Sequence, residues 1–137
     1  MAATTLIASA DKRLSHLAPN ERQALGVLVD RLREKFGEAL LRVVLFGSKA
    51  RGDGEAESDL DVLIVAQIAE AEYQRRRREI LEATYDLDLD YGVVLSMLIE
   101  TEPEYVEMRR ANMLINRSIE ADGITLWTST QSAHTFA

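Results

Sequence analysis

Two short apolar runs separated by a polar interval set the architecture this chain can adopt. LRVVLF, from Leu41 to Phe46, stops abruptly at Gly47-Ser48, and DLDVLIV, from Asp59 to Val65, begins after a ten-residue spacer. Each run is short, rich in β-branched residues and bounded by turn formers, so each reads as a buried strand. The intervening KARGDGEAES is a polar loop with room for one helical turn after Ser48.

Helical patterns surround this pair. Ala24, Leu25, Leu28, Val29, Leu32 and Phe36 recur at helical spacing after Pro19-Asn20-Glu21, a combination that suits a helix start, and Gly37 is the expected stop. A charged helix is predicted from Glu70 to about Tyr85, with Tyr73, Ile80, Leu81 and Ala83 on its inner side. VVLSMLI, from Val93 to Ile99, is a third strand entered at Gly92. Pro103 opens a helix to about Ala111, Leu114 to Ala121 forms another, and ITLW closes the pattern as an extended segment after Gly123. Helices alternating with a few strands define an α/β domain, a small mixed sheet flanked by helices. Residues 1–18 form a lead-in to that domain, 19–127 its body and 128–137 a loose tail.

Composition narrows the function. Of 137 residues, 47% are hydrophobic, enough for a single core, and the absence of cysteine removes disulfides and thiolate metal sites. The net charge of -7 opposes direct DNA or RNA binding. A divalent cation can still bridge an acidic protein and a nucleotide. The N-terminal run Leu6 to Ala10 is too short for a signal peptide or a membrane span, which leads to the expectation of a soluble, cytoplasmic protein.

The chemistry concentrates at the turn and the second strand. Alternation along a strand puts Asp59 and Asp61 on one side and Leu60, Val62 and Ile64 on the other. Two carboxylates so close repel each other unless a cation neutralises them, and hard oxygen ligands suit magnesium or manganese. Gly47 permits close approach of backbone to a phosphate, and the Ser48 hydroxyl can donate to one. Lys49 and Arg51 are near enough in sequence to assist. Such parts suit in-line attack at a nucleoside triphosphate.

The run LFGSKARGDGEAESDLDVLIV resembles the DNA polymerase β-like nucleotidyltransferases, most closely their minimal prokaryotic branch. The resemblance is most specific from Leu41 to Val65 and extends in element order from Pro19 to Trp127. It implies transfer of a nucleoside monophosphate, most often AMP from ATP, to a hydroxyl. Gly47 and Ser48 would bind the triphosphate, and Asp59 and Asp61 would hold the metals. It also implies a complex with a helical HEPN-type partner protein, some such domains acting as antitoxins that modify their partner.

That family uses a third carboxylate on a neighbouring strand, and VVLSMLI contains no acid. If the preceding DLDLDYG is extended, Asp90 is the nearest candidate third ligand, with Ser96 standing where an aspartate is expected. The competing reading is a degenerate module that binds its partner without catalysis. Arg75 to Arg78 spread around a helix and pair locally with Glu72, Glu79 and Glu82. His16 and His134 are expected at the surface.

Overall fold

The computed structural model describes residues 12–129. His134 and most of the expected loose tail lie outside them. After a 3₁₀ turn at Lys12–Leu14 the described residues form five α-helices and four strands: α1 (Pro19–Phe36), β1 (Leu40–Phe46), α2 (Gly47–Arg51), β2 (Leu60–Ala66), α3 (Tyr73–Tyr91), β3 (Leu95–Thr101), α4 (Glu102–Arg110), α5 (Leu114–Asp122) and β4 (Ile124–Thr128).

All six apolar residues of the α1 stripe are buried, as helical spacing requires. The helix starts at Pro19, where the Ala18 amide donates to Glu21 Oε1 at 2.9 Å, and Gly37 ends it at φ 54°. The Thr101 hydroxyl accepts the Glu104 amide while Glu104 Oε1 accepts the Thr101 amide, a reciprocal cap at the start of α4.

The four strands lie in the order β3-β2-β1-β4. β1 is antiparallel to β2 and β4, and β2 is parallel to β3. β2 is therefore internal and buried on both faces. Its Leu60, Val62 and Ile64 join Leu25, Leu28 and Val29 of α1 and Ile80 and Leu87 of α3 in the main core. Leu63 and Val65 pack on the opposite face with Tyr105, Met108 and Ile119 of α4 and α5. A doubly covered strand reads as a continuous apolar run, which is why DLDVLIV carries no polar residue after Asp61.

Two expectations are corrected. The DLDLDYG segment is helix, not strand: α3 continues to Tyr91 and ends at Gly92, at φ 66°, whose amide reaches the Asp88 carbonyl. Its alternation of acid and leucine imitates the period of a strand, but burial follows the helix, with Leu87 fully buried and Leu89 84% exposed. Arg31 of α1 fixes this extra turn through both Asp86 oxygens, at 2.7 and 3.2 Å, and through the Ala83 carbonyl at 2.7 Å. Thr128 is likewise not tail; it belongs to β4, and the Ser129 amide donates to the Leu41 carbonyl.

Candidate functional site

β1 delivers Phe46 opposite Asp61 on β2, and the chain then turns into α2 at Gly47. Gly47 sits at φ +78°, a conformation that side-chain-bearing residues rarely adopt. A Cβ built on it would fall 2.3 Å from Asp61 Oδ2. The bare glycine is thus the condition for the Asp61 carboxylate to lie against the α2 turn.

Asp61 is half-buried and has Asp59, the residue just before β2, as its acidic neighbour. Burial raises its pKa, and the Asp59 charge raises it further; a hydrogen bond from Ser96 and the charge of Arg51 pull the other way. Ser96 is the β3 partner of Asp61 in the parallel ladder. The strand position beside the carboxylate therefore carries a hydroxyl.

The rest of α2 is held from behind. Lys49 is only 7% exposed, and its ammonium meets Glu21 Oε2 at 2.5 Å, so one α1 carboxylate both caps its own helix and anchors α2. The direction of Lys49 is a correction to its expected place among the phosphate ligands. The His16 ring is exposed, as expected, and contacts the Lys49 carbonyl through Nε2. Arg51 lies beside Asp53 at 3.1 Å and Asp122 at 3.8 Å. Gly54 folds back over Ser48; a Cβ there would lie 2.9 Å from the Ser48 hydroxyl oxygen. His16 was missed as a support because it lies outside the motif, and Gly54 because the path of the spacer that folds it back over Ser48 leaves no periodic signal.

Asp90 is placed away from this group. It is exposed on the last turn of α3, near enough to Arg31 to act on its charge, and the segment whose extension would have carried it to the site as third ligand is helical. Among the described residues no three acidic, histidine or cysteine side chains converge as a metal cluster. The donor set is instead two neighbouring carboxylates, one electrostatically strained by the other, in a pocket that a Cβ would fill. That set fits a hard divalent cation whose remaining ligands are phosphate and water oxygens. A cleft of about 430 Å³ lined by Glu21, Lys49, Ser58, Gly92 and Val94 adjoins the Asp59 side. A larger one, about 920 Å³, lies at the far ends of the strands, against Asp30, Gln67 and Trp127.

Fold and site together define a nucleotide-transfer domain, and comparison with known proteins agrees. Residues 25–119 match the family profile described as nucleotidyltransferase domain. The chain belongs to that family and is a nucleotidyltransferase. A provisionally named protein adenylyltransferase of Methanocaldococcus jannaschii is 32% identical over 79% of this chain and 99% of its own length. A second from the same organism is 29% identical over 66% of this chain and 61% of its own. Among solved structures, a toxin-antitoxin crystal structure with AMP-PNP superposes at TM-score 0.52, with 20% identity over 80% of this chain and 77% of that one. The crystal structure of a provisionally named nucleotidyltransferase from Sulfolobus solfataricus superposes at 0.51, with 19% identity over 88% and 90%. Likeness at those identities concerns the fold. No helix among the described residues is long and apolar enough to cross a membrane.

Proposed function

We propose that this chain transfers AMP from ATP to a hydroxyl of a partner protein. The observation that carries the reading is the seating of the Asp61 carboxylate on the bare α-carbon of Gly47, with Asp59 and Ser96 beside it. The name of the M. jannaschii relative, protein adenylyltransferase, supports the class of acceptor.

In this reading Asp59 and Asp61 hold magnesium or manganese, Gly47 lets the triphosphate approach the backbone, and the Ser48 hydroxyl donates to a phosphate oxygen. When bound, the cation would withdraw charge from the phosphate oxygens. The five-residue α2 has little macrodipole, so anion binding rests on individual amides and that hydroxyl. Arg51, exposed at the end of α2, is the cation near the site that can meet phosphate; Lys49 serves to hold α2. The acceptor oxygen forms a bond to the α-phosphorus, the bond to pyrophosphate breaks, and the acceptor proton leaves to solvent or to a carboxylate. Among the described residues no third carboxylate stands beside Asp59 and Asp61 as a dedicated base, so the chemical step is slow unless the acceptor brings its own activating group.

A helical HEPN-type protein is the proposed acceptor, in a toxin-antitoxin pair. The toxin-antitoxin structure with AMP-PNP, whose fold this chain shares, supports that setting. The test is incubation of the chain, magnesium and α-labelled ATP with the product of the adjacent gene. Label should appear on that protein and vanish with Asp59→Asn/Asp61→Asn. The two-carboxylate donor set favours one other reading, a degenerate module that neutralises its partner by binding alone. Full neutralisation by the double variant, with no label transferred by the wild type, would establish that reading instead.

A further inference from the structure

The sheet register sets a hydroxyl against the carboxylate pair. Ser96 of β3 is the partner of Asp61 of β2 in the parallel ladder. Partners on adjacent strands lie about 4.8 Å apart with their side chains on one face. The neighbours of Ser96 fix that face: Leu95 and Met97 pack in the main core with Leu60 and Val62, and Leu98 packs with Leu63 on the opposite side. Ser96 therefore stands on the Asp61 side. β3 is the terminal strand of the sheet and Ser96 is exposed, so its hydroxyl opens to solvent as well as to the site.

Other hydroxyls of the chain serve their own backbone. Ser58 accepts the Glu55 amide, Thr84 donates to the Ile80 carbonyl, and Thr101 accepts the Glu104 amide. Ser96 donates instead to the Asp61 carboxylate. That carboxylate is held in place, because β2 is an internal strand and Asp61 Oδ2 lies where a Cβ of Gly47 would be. A serine bonded to a fixed carboxylate is placed as a nucleophile beside a base. We propose that Ser96 is an acceptor in cis: the chain adenylylates its own Ser96 and thereby closes its site. The proposal rests on the nucleotide site assigned to Gly47, Ser48, Asp59 and Asp61.

In the step, Ser96 Oγ forms a bond to the α-phosphorus of ATP while the bond from that phosphorus to pyrophosphate breaks. Pyrophosphate leaves with the electron pair, and the hydroxyl proton passes to Asp61 and on to water. The product is a phosphodiester of serine and adenosine. It has no activated leaving group, so the AMP goes no further. Its negative charge stands beside Asp59 and Asp61, and its bulk fills the place of the next nucleotide. A partner hydroxyl presented to the same phosphorus competes with Ser96, so self-modification prevails when the partner is absent.

The test is the purified full chain with magnesium and ATP and no other protein, read by intact mass and peptide fragmentation. The mass should rise by one AMP moiety, carried on Ser96, with a rate constant that does not change over a tenfold range of chain concentration. Ser96→Thr should still be modified. Ser96→Ala should gain no mass, although calorimetry should show that it still binds ATP with magnesium. The modified chain, separated by ion exchange, should bind ATP at least tenfold more weakly than the unmodified one. AMP on another residue, or the same mass gain in Ser96→Ala, overturns the inference. So does a wild type that binds ATP and labels its partner protein yet never gains mass, a result that leaves the proposed function standing. A wild type that binds no ATP with magnesium overturns both.

Discussion

Replacing Gly47 with alanine should damage the site far more than the fold, and Gly52 provides the matched control. Both glycines are in the left-handed region, at φ +78° and +86°. An alanine at either position costs about 1–2 kcal/mol of backbone strain. For a domain of this size that lowers the melting temperature by roughly 3–10 °C. The neighbours differ. At Gly52 the added methyl meets only the edge of the His16 ring at 3.6 Å, an ordinary contact. At Gly47 it meets Asp61 Oδ2 at 2.3 Å and Cγ at 3.2 Å, which no real structure tolerates. β2 is an internal strand paired on both sides, so the carboxylate must rotate away, taking one of two cation ligands with it. Displacement of a liganding or supporting group commonly costs on the order of 10–100-fold in metal affinity or activity. Thermal melts of both variants, with calorimetric titration of ATP in the presence of magnesium, check this. Comparable melting losses are expected, with affinity reduced only in Gly47→Ala. Near wild-type binding by Gly47→Ala, or an equal loss in Gly52→Ala, would refute the steric argument.

Asp61 has a raised pKa in the fold, so the stability tied to it is complete below its ordinary carboxylate range and is lost as pH rises through the folded value. Asp61→Asn should therefore melt higher than the wild type at neutral pH without divalent cation, and the gap should close on acidification; a gap that widens in acid contradicts the assignment. Magnesium should stabilise the wild type and leave Asp61→Asn nearly unmoved in the same melts. Lys49→Met leaves Glu21 charged and buried, and unfolding in urea should show a loss of about 3–5 kcal/mol. If that variant is as stable as the wild type, Lys49 is not the anchor of α2. Ser96→Ala removes a hydrogen bond to the Asp61 carboxylate, so Asp61 should titrate higher by NMR; an unchanged or lower value would show that the hydroxyl does not bond it.

The parts of the fold that could be read from the sequence are those governed by local periodicity. The α1 stripe, both strands flanking Gly47-Ser48 and the helix near Pro103 follow from spacing and turn chemistry alone, to within a residue or so. Gly47 and Asp61 were recognisable as a pair from their residue types, although their contact depends on the β1–β2 register. What failed did so through tertiary choice. DLDLDYG has strand-like alternation, and only the docking of Arg31 on Asp86 and of Leu87 in the core selects helix. Lys49 looked like a phosphate ligand because its partner, Glu21, lies 28 residues earlier and is brought to it by folding. The return of β4 to the edge of β1, which orders Thr128 and Ser129, likewise leaves no local trace.

Gly47, Ser48, Asp59 and Asp61 are proposed to form one cation-dependent nucleotide site. The most direct measurement is calorimetric titration of ATP into the wild type and into Asp59→Asn/Asp61→Asn, each with magnesium and with EDTA. Saturable binding should appear in one of the four titrations, the wild type with magnesium. Equal binding in EDTA, or by the double variant with magnesium, would contradict the account.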